Sequence, residues 1–186
     1  SMNELIESFN LKNVQKGAAV FDLKRFNWVS SQHLAKLNDD AFIEAIHPFM
    51  KDEGIDNVAP NYKEILIAMR TSKTNLKEIA YATRPFFFEL EEYDEKGVNK
   101  FLKGSLETLT FALETLSKIS EWNETELDMA LINVRDYFNL PIPKVNQPMR
   151  IALVGSTISP SLGLTLELFG KEKSLERIKK AIDFIS

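Results

Sequence analysis

Arg150 is the residue with the most chemistry gathered around it. It stands in the run Gln147-Pro148-Met149-Arg150-Ile151-Ala152-Leu153-Val154-Gly155-Ser156-Thr157-Ile158-Ser159-Pro160-Ser161-Leu162, a cation on a short apolar stretch followed by a glycine and several hydroxyls. Pro148 suits the first turn of a helix, Gly155 suits its end, and Ser159-Pro160 reads as a cap followed by a first-turn proline. A guanidinium, hydroxyls and helix-terminal amides at one corner are the donors that a phosphate or a nucleobase would use. An ordinary helix-turn-helix corner, whose arginine reaches past apolar neighbours to water, fits the same pattern. The residue types leave both readings standing.

Other reactive arrangements are scarce. Glu91-Glu92 and Asp39-Asp40 sit at helix boundaries, where acidic residues complement the helix dipole. A general acid/base pair would need a desolvated cleft, of which the pattern gives no sign. Ser156 follows Gly155 without the G-x-S-x-G spacing or the preceding strand of a nucleophile elbow. No phosphate loop and no G-x-G-x-x-G is present. Cysteine is absent, so thiolate catalysis, disulfides and zinc-thiolate sites drop out together, and the two histidines, His33 and His47, are far apart in sequence. The expectation is a chain with no catalytic residue and no metal site.

The elements that would position Arg150 read as helices. A short one is expected over 3–9, and Ala18-Ala19-Val20-Phe21 is the one extended piece, ahead of Asp22 as a helix cap. Two short helices follow, one near Leu23–Val29 and one near Ser31–Leu37. Asn38 caps a helix carrying Phe42, Ile46 and Met50 as far as Gly54, and Ala59-Pro60 opens another through Met69. Leu76–Ala82 is helical until Arg84-Pro85, because proline disfavours helix for the residue before it. The Phe86-Phe87-Phe88 triplet reads as core or inter-domain packing more readily than as a base-stacking platform. Asp94-Glu95 starts a long helix to about Leu116, and Asn123 with Glu126 starts the next, which Pro141 and Pro143 end. The last helix begins near Lys173.

With 186 residues, 44% apolar and 27% charged, the chain can bury one or two globular cores. No apolar run is long enough to span a membrane and no signal-peptide pattern is present, which suits a cytoplasmic protein without a membrane partner. Ser1-Met2 reads as a cloning scar. The net charge of −4 is awkward for a nucleic-acid ligand, yet local basic groups exist: Arg70, Lys73 and Lys77, and the terminal set Lys171, Lys173, Arg177, Lys179 and Lys180. Such charges more often form a solvated helix face. The proline-, aromatic- and acid-rich stretch 84–96 marks the boundary between a first unit, 3–90, and a second, 91–186.

The run around Arg150 resembles the Q-P-x-R-x-A-L-T-G-S-x-x-S-P-x-L segment of bacterial glutamyl-tRNA synthetases, with Val154 in place of the usual threonine. Ala19-Val20-Phe21-Asp22 through Trp28 resembles the same family's A-V-F-D-x-x-K-L-x-W stretch. Beyond Trp28 the chain departs from the pattern, so no role is carried to Ser30 or His33. Leu66–Leu76 resembles the segment ending in T-L-K-E, and Leu168-Phe169-Gly170-Lys171-Glu172 resembles L-L-G-K-E. The matches are ordered and cover about residues 3–185.

The resemblance implies an all-α, multi-helix anticodon-binding region of a class I synthetase, with a short stem-contact remnant at its N-terminus. The H-I-G-H-like and K-M-S-K-S-like signatures of the ATP-using catalytic domain are absent from this chain. It implies a tRNA-binding portion of a glutamate-tRNA ligase, with ATP and magnesium used elsewhere in a monomeric parent. The partner it implies is glutamate tRNA. By the same resemblance Arg150 contacts the anticodon and Leu162 packs against an anticodon base. Ser72 falls where some members place an arginine that rejects glutamine tRNA, with Arg70 and Lys73 as neighbouring substitutes. Its absence leaves room for a relaxed enzyme that also accepts glutamine tRNA. From a different class, a helical protein-protein interaction module would account for the acidic surface.

Overall fold

The computed structural model describes residues 2–13, 17, 20–56 and 60–186, and among these it contains helices and no strand, the all-α class expected. Ala18, Ala19 and Ala59, which entered the expected extended piece and helix start, lie outside the described residues.

Asparagine and aspartate side chains cap five of the helices among the described residues. Helix α1 spans Met2–Ser8 and buries nothing. Helix α2, Leu23–Lys36, begins where the Asp22 carboxylate accepts the Arg25 amide, and it runs through as one helix where two were expected. Asn38 caps α3 (Asp39–Asp52) and Asn75 caps α5 (Leu76–Phe87), each by accepting an amide three residues on. Between them α4 spans Tyr62–Met69. Asp94 caps a single turn, α6 (Glu95–Gly97), which continues as a π-helical turn over Val98–Leu102. Helices α7 (Leu106–Ser117), α8 (Glu124–Tyr137), α9 (Ile142–Val154), α10 (Leu162–Phe169) and α11 (Lys171–Ile185) complete the fold.

Proline and glycine account for the departures. The long helix expected from Asp94 to Leu116 is broken at Gly104, whose φ of +85° a helix does not allow. Helix α5 continues through Pro85, and α9 begins early, with Pro143 in its first turn and Pro148 in its interior. An interior proline forfeits one backbone hydrogen bond. Tertiary burial offsets that loss here: Pro148 and its neighbours Met149, Ile151, Ala152 and Leu153 are all buried, as is Phe86 beside Pro85. Helix α10 is capped at Ser161, two residues later than the expected Ser159.

Helices α3, α4 and α5 pack on one another around Phe42, Ile46, Met50, Leu66, Met69 and Ile79. The second group has α11 laid across α7, α9 and α10, and α10 laid against α8. Helix α5 meets α9, so the two groups share a boundary. Helix α10 comes close to α8 at Gly163: a Cβ there would lie 2.5 Å from Asp128 Oδ1 and 2.7 Å from the Glu124 carbonyl oxygen. Gly163→Ala therefore forces two helices apart. It is expected to destabilise the chain by about 1–3 kcal/mol, read as a lower Tm in thermal unfolding followed by circular dichroism.

Candidate nucleic-acid interface

A groove of about 710 Å³ opens where the two helix groups meet. One wall is α5 and the segment after it, with Tyr81, Arg84, Phe88, Glu89, Glu91 and Glu92; the other is the loop after α9, from Gly155 to Ile158, and Lys73 stands at its edge. Two segments about 80 positions apart in sequence, the one carrying Ser72 and Lys73 and the one following Arg150, thus border a single cleft.

The loop after α9 is built from its own side chains. Gly155 ends the helix with φ +72°, and a side chain there would lie 3.0 Å from the Glu92 carbonyl oxygen. The Asp94 amide donates to the Gly155 carbonyl (2.7 Å), tying the inter-group segment to this loop by backbone alone. Arg150, half-buried on α9, reaches back across the turn: Nε donates to Ser159 Oγ (3.1 Å) and Nη2 to the Pro160 carbonyl (3.2 Å). Burial pushes its guanidinium pKa down from the ordinary arginine value. Its remaining nitrogen, Nη1, makes no hydrogen bond among the described residues. Arg150 therefore holds the loop with two donors and keeps one. Leu162, 2% exposed, lies in the core beneath that corner.

The other predicted residues are placed as follows. Arg70 serves its own fold: Nη1 donates to the Leu37 carbonyl (3.2 Å), Nη2 pairs with Asp39, and the guanidinium lies 4.8 Å from the Phe42 ring centroid. With its side chain 14% exposed, it offers a ligand little. Ser72 is half-buried with its hydroxyl oxygen enclosed and without a hydrogen-bond partner. Lys73 lines the groove.

The basic C-terminal helix is mostly consumed internally. Lys171 Nζ donates to the Ile119 carbonyl (2.6 Å) and Lys173 Nζ to the Phe86 carbonyl (3.1 Å), while Lys180 pairs with Glu89 (3.1 Å) and Glu176 (2.8 Å). Arg177 is the most constrained. At 2% exposure it donates through Nη1 to the Leu153 carbonyl and through Nη2 to the Phe88 carbonyl (2.6 Å), with its guanidinium 4.6 Å from the Phe169 ring centroid. Burial pushes its pKa down, and Glu89, Tyr93 and Glu176 oppose that shift. Phe169 in turn stacks on Phe86, centroids 4.6 Å apart. Leu153 and Phe88 sit beside the two walls of the groove, so one guanidinium sets their separation. Sequence reasoning misses this, because an arginine on a helix that also carries Lys171, Lys173, Lys179 and Lys180 reads as a solvated face.

The phenylalanine triplet divides its work. Phe86 packs between the helix groups, as expected of the triplet, and Phe87 packs on Tyr62 with centroids 6.0 Å apart. Phe88 departs from the expectation and is 38% exposed in the groove. Arg177→Met would take the guanidinium donor from both the Leu153 and Phe88 carbonyls. The expected loss is about 2–4 kcal/mol, with Arg177→Lys losing less, measured by urea unfolding of the 186-residue chain.

Comparison with known proteins gives the family and the fold. The family described as "Anticodon binding domain" matches residues 41–182. Glutamate–tRNA ligases of Legionella pneumophila strains Philadelphia 1 and Paris are each 31% identical over 187 residues, covering all of this chain and 40% of their own length. The chain thus spans about two fifths of the curated relatives it matches. Among solved structures, a glutamate tRNA ligase from Elizabethkingia meningosepticum in complex with its amino acid superposes with a TM-score of 0.78 at 24% identity, over 100% of this chain and 37% of that one. A glutamate-tRNA synthetase from Elizabethkingia anophelis gives 0.75 at 24% identity, over 98% and 36%.

Proposed function

This chain belongs to the anticodon-binding domain family, and from that premise we propose that it is the part of a glutamate-tRNA ligase that grips the anticodon arm of glutamate tRNA. The observation that carries the proposal is the shared groove: Lys73 from one helix group and the Gly155–Ile158 loop from the other face a single cleft. Unstacked loop bases need such an arrangement, with edge donors, ring faces and a cation within one nucleotide's reach. Arg150 is the proposed anticodon contact through its remaining Nη1, and Leu162 is the apolar residue supporting that corner. Residues 3–90 and 91–186 act as the two subdomains that present these loops.

Aminoacyl transfer itself lies outside the chain in this reading, and ATP and magnesium are used by the rest of the parent. Among the described residues no group of three or more His, Asp or Glu side chains is placed to hold a metal ion. The parent is proposed to act as a monomer in the cytoplasm. Among the described residues no helix is long and apolar enough to cross a membrane.

Ser72 supplies the specificity proposal. A small hydroxyl, already enclosed, presents no cation to an anticodon base, and Arg70 beside it is engaged with Leu37, Asp39 and Phe42. Position 72 itself offers no charge that would reject a second tRNA, and its neighbour Lys73 lines the groove. The full-length enzyme is therefore expected to charge glutamine tRNA with glutamate as well. Strict rejection of that tRNA in an aminoacylation assay would refute the relaxed reading.

Arg150→Ala in the full-length enzyme is expected to raise the tRNA KM about tenfold, the scale of one charge-assisted contact, while leaving glutamyl-adenylate formation near the wild-type rate. Equal losses in both would point to misfolding. Binding should also weaken with salt, log affinity falling by about 0.7 per phosphate contact per decade of salt for single-stranded RNA. With few cations near the groove, a slope of roughly −1.5 to −2 is expected. A slope near zero would count against phosphate contact altogether.

A further inference from the structure

Acidic residues are unevenly spread along this chain. From Tyr137 to Leu166 there is no Asp or Glu, in a chain that carries 27 of them, and this stretch holds Lys144 and Arg150. Packed on its helix α9 are α6 and the π-helical turn, where residues 95–106 bring Lys96, Lys100 and Lys103 against the single carboxylate of Glu95. A chain of net charge −4 thus keeps one region where five cations meet one carboxylate.

Two close contacts align these segments. The Asp94 amide donates to the Gly155 carbonyl (2.7 Å), and a Cβ on Gly97 would lie 3.0 Å from Ile151 Cδ1. Rising numbers on one side meet falling numbers on the other, so the π-helical turn runs back along α9 toward its start, where Lys144 is exposed. Val98 and Leu102 are buried, while Lys96, Lys100 and Lys103 are exposed. Lys103 Nζ donates to Asn99 Oδ1 (2.8 Å), and Lys100 Nζ lies 5.0 Å from the Phe101 ring centroid. Among the described residues none of these four lysines is in an ion pair.

A solvated basic face intersperses acids, as α11 does where Lys180 pairs with Glu89 and Glu176. The stripe on α6 and α9 lacks such partners. Four unpaired ammonium groups spread along roughly 15 Å of helix suit a run of successive phosphates better than one small anion. The stripe starts beside the groove, which Asp94 lines, and leads away from it.

We propose that Lys96, Lys100, Lys103 and Lys144 form a track for the phosphate backbone of a double-stranded RNA stem, the stem whose loop reaches the groove. The track lies outside the groove and reads no base, because phosphate contacts position a nucleic acid without specifying its sequence. The proposal rests on the anticodon reading and adds a second, sequence-independent contact to it.

The test compares two RNAs by fluorescence anisotropy: the anticodon stem-loop of glutamate tRNA as a hairpin, and its loop sequence as a linear strand. Each is titrated with salt against the 186-residue chain and against the full-length enzyme. The slope of roughly −1.5 to −2 belongs to the groove and is expected for the linear strand, and a duplex stem adds about −0.9 per phosphate contact. Replacing Lys96, Lys100 and Lys103 together by Gln should remove about 2.7 from the hairpin's slope. Raising salt from about 50 to 200 mM should then weaken the wild-type complex about fortyfold more than the variant's. The linear strand should bind the variant as it binds the wild type, which lost folding would not allow. Lys144→Gln alone should remove about 0.9. Exchanging the stem's base pairs should leave hairpin binding unchanged, and dependence on stem sequence would overturn the backbone contact. If the hairpin shows the linear strand's slope and the triple variant binds it like the wild type, the track is refuted and the anticodon reading stands. If the triple variant loses polyglutamate yet keeps the hairpin, the stripe serves an acidic protein and the RNA track is refuted. If neither RNA binds the chain or the full-length enzyme, both readings are refuted.

Discussion

A guanidinium kept from water between two helix ends governs the remaining geometry of this chain. Arg177 reaches from α11 to the carbonyl of Leu153, one residue before α9 ends, and to that of Phe88, just past α5. Helix ends carry carbonyls with no partner in their own helix, and Arg177 supplies a donor to each of these two. Arginine suits the position because its planar fork offers several donors at fixed angles on a single group. Phe169 covers one face of the fork, Phe86 stacks on Phe169, and Lys173 donates to the Phe86 carbonyl. The contact between the two helix groups is therefore a polar core wrapped in aromatic rings, and the loops on either side of the groove take their places from it.

That arrangement is what lets the proposed RNA surface sit on an acidic protein. Most cations near the groove or on α11 are spent on the protein itself: Arg70 on Asp39, Arg84 on Glu53, Lys171 on a carbonyl, Lys180 on two glutamates. The net charge of −4 therefore understates the internal electrostatics and overstates what a ligand meets. What remains at the groove is sparse and placed: Lys73 at the edge, one nitrogen of Arg150 nearby in the chain, and two exposed rings. Recognition built this way depends on shape and base contact more than on bulk attraction to phosphate.

Helix starts are legible because capping is local. Asp22, Asn38, Asn75, Asp94 and Asn123 each accept the amide three residues on, a pattern written within four positions of the chain. Asn75 is harder to see only because it sits in a polar stretch that reads as a loop. Helix interiors containing proline are less legible. Whether α5 survives Pro85 is decided by Phe86 packing on Phe169, 83 positions away, which no local rule contains. Gly104 is a local break signal, masked by the leucine spacing around it. At the candidate site, family resemblance is what singles out Arg150 and the Ser72 loop as expectations. It does not show that Leu162 is buried, that Arg70 is committed to its own fold, or that Phe88 leaves the core its two neighbours join.

One backbone contact reaches further than its single bond suggests. The Asp94 amide meets the Gly155 carbonyl without any side chain taking part, and Gly155 itself has no room for one. Main-chain atoms are the same whatever residues carry them. Glu91, Glu92, Thr157 and Ile158, which line the cleft on either side of that bond, contribute no side chain to it. Side chains lining such a cleft are free to change in sequence while the scaffold beneath them stays the same.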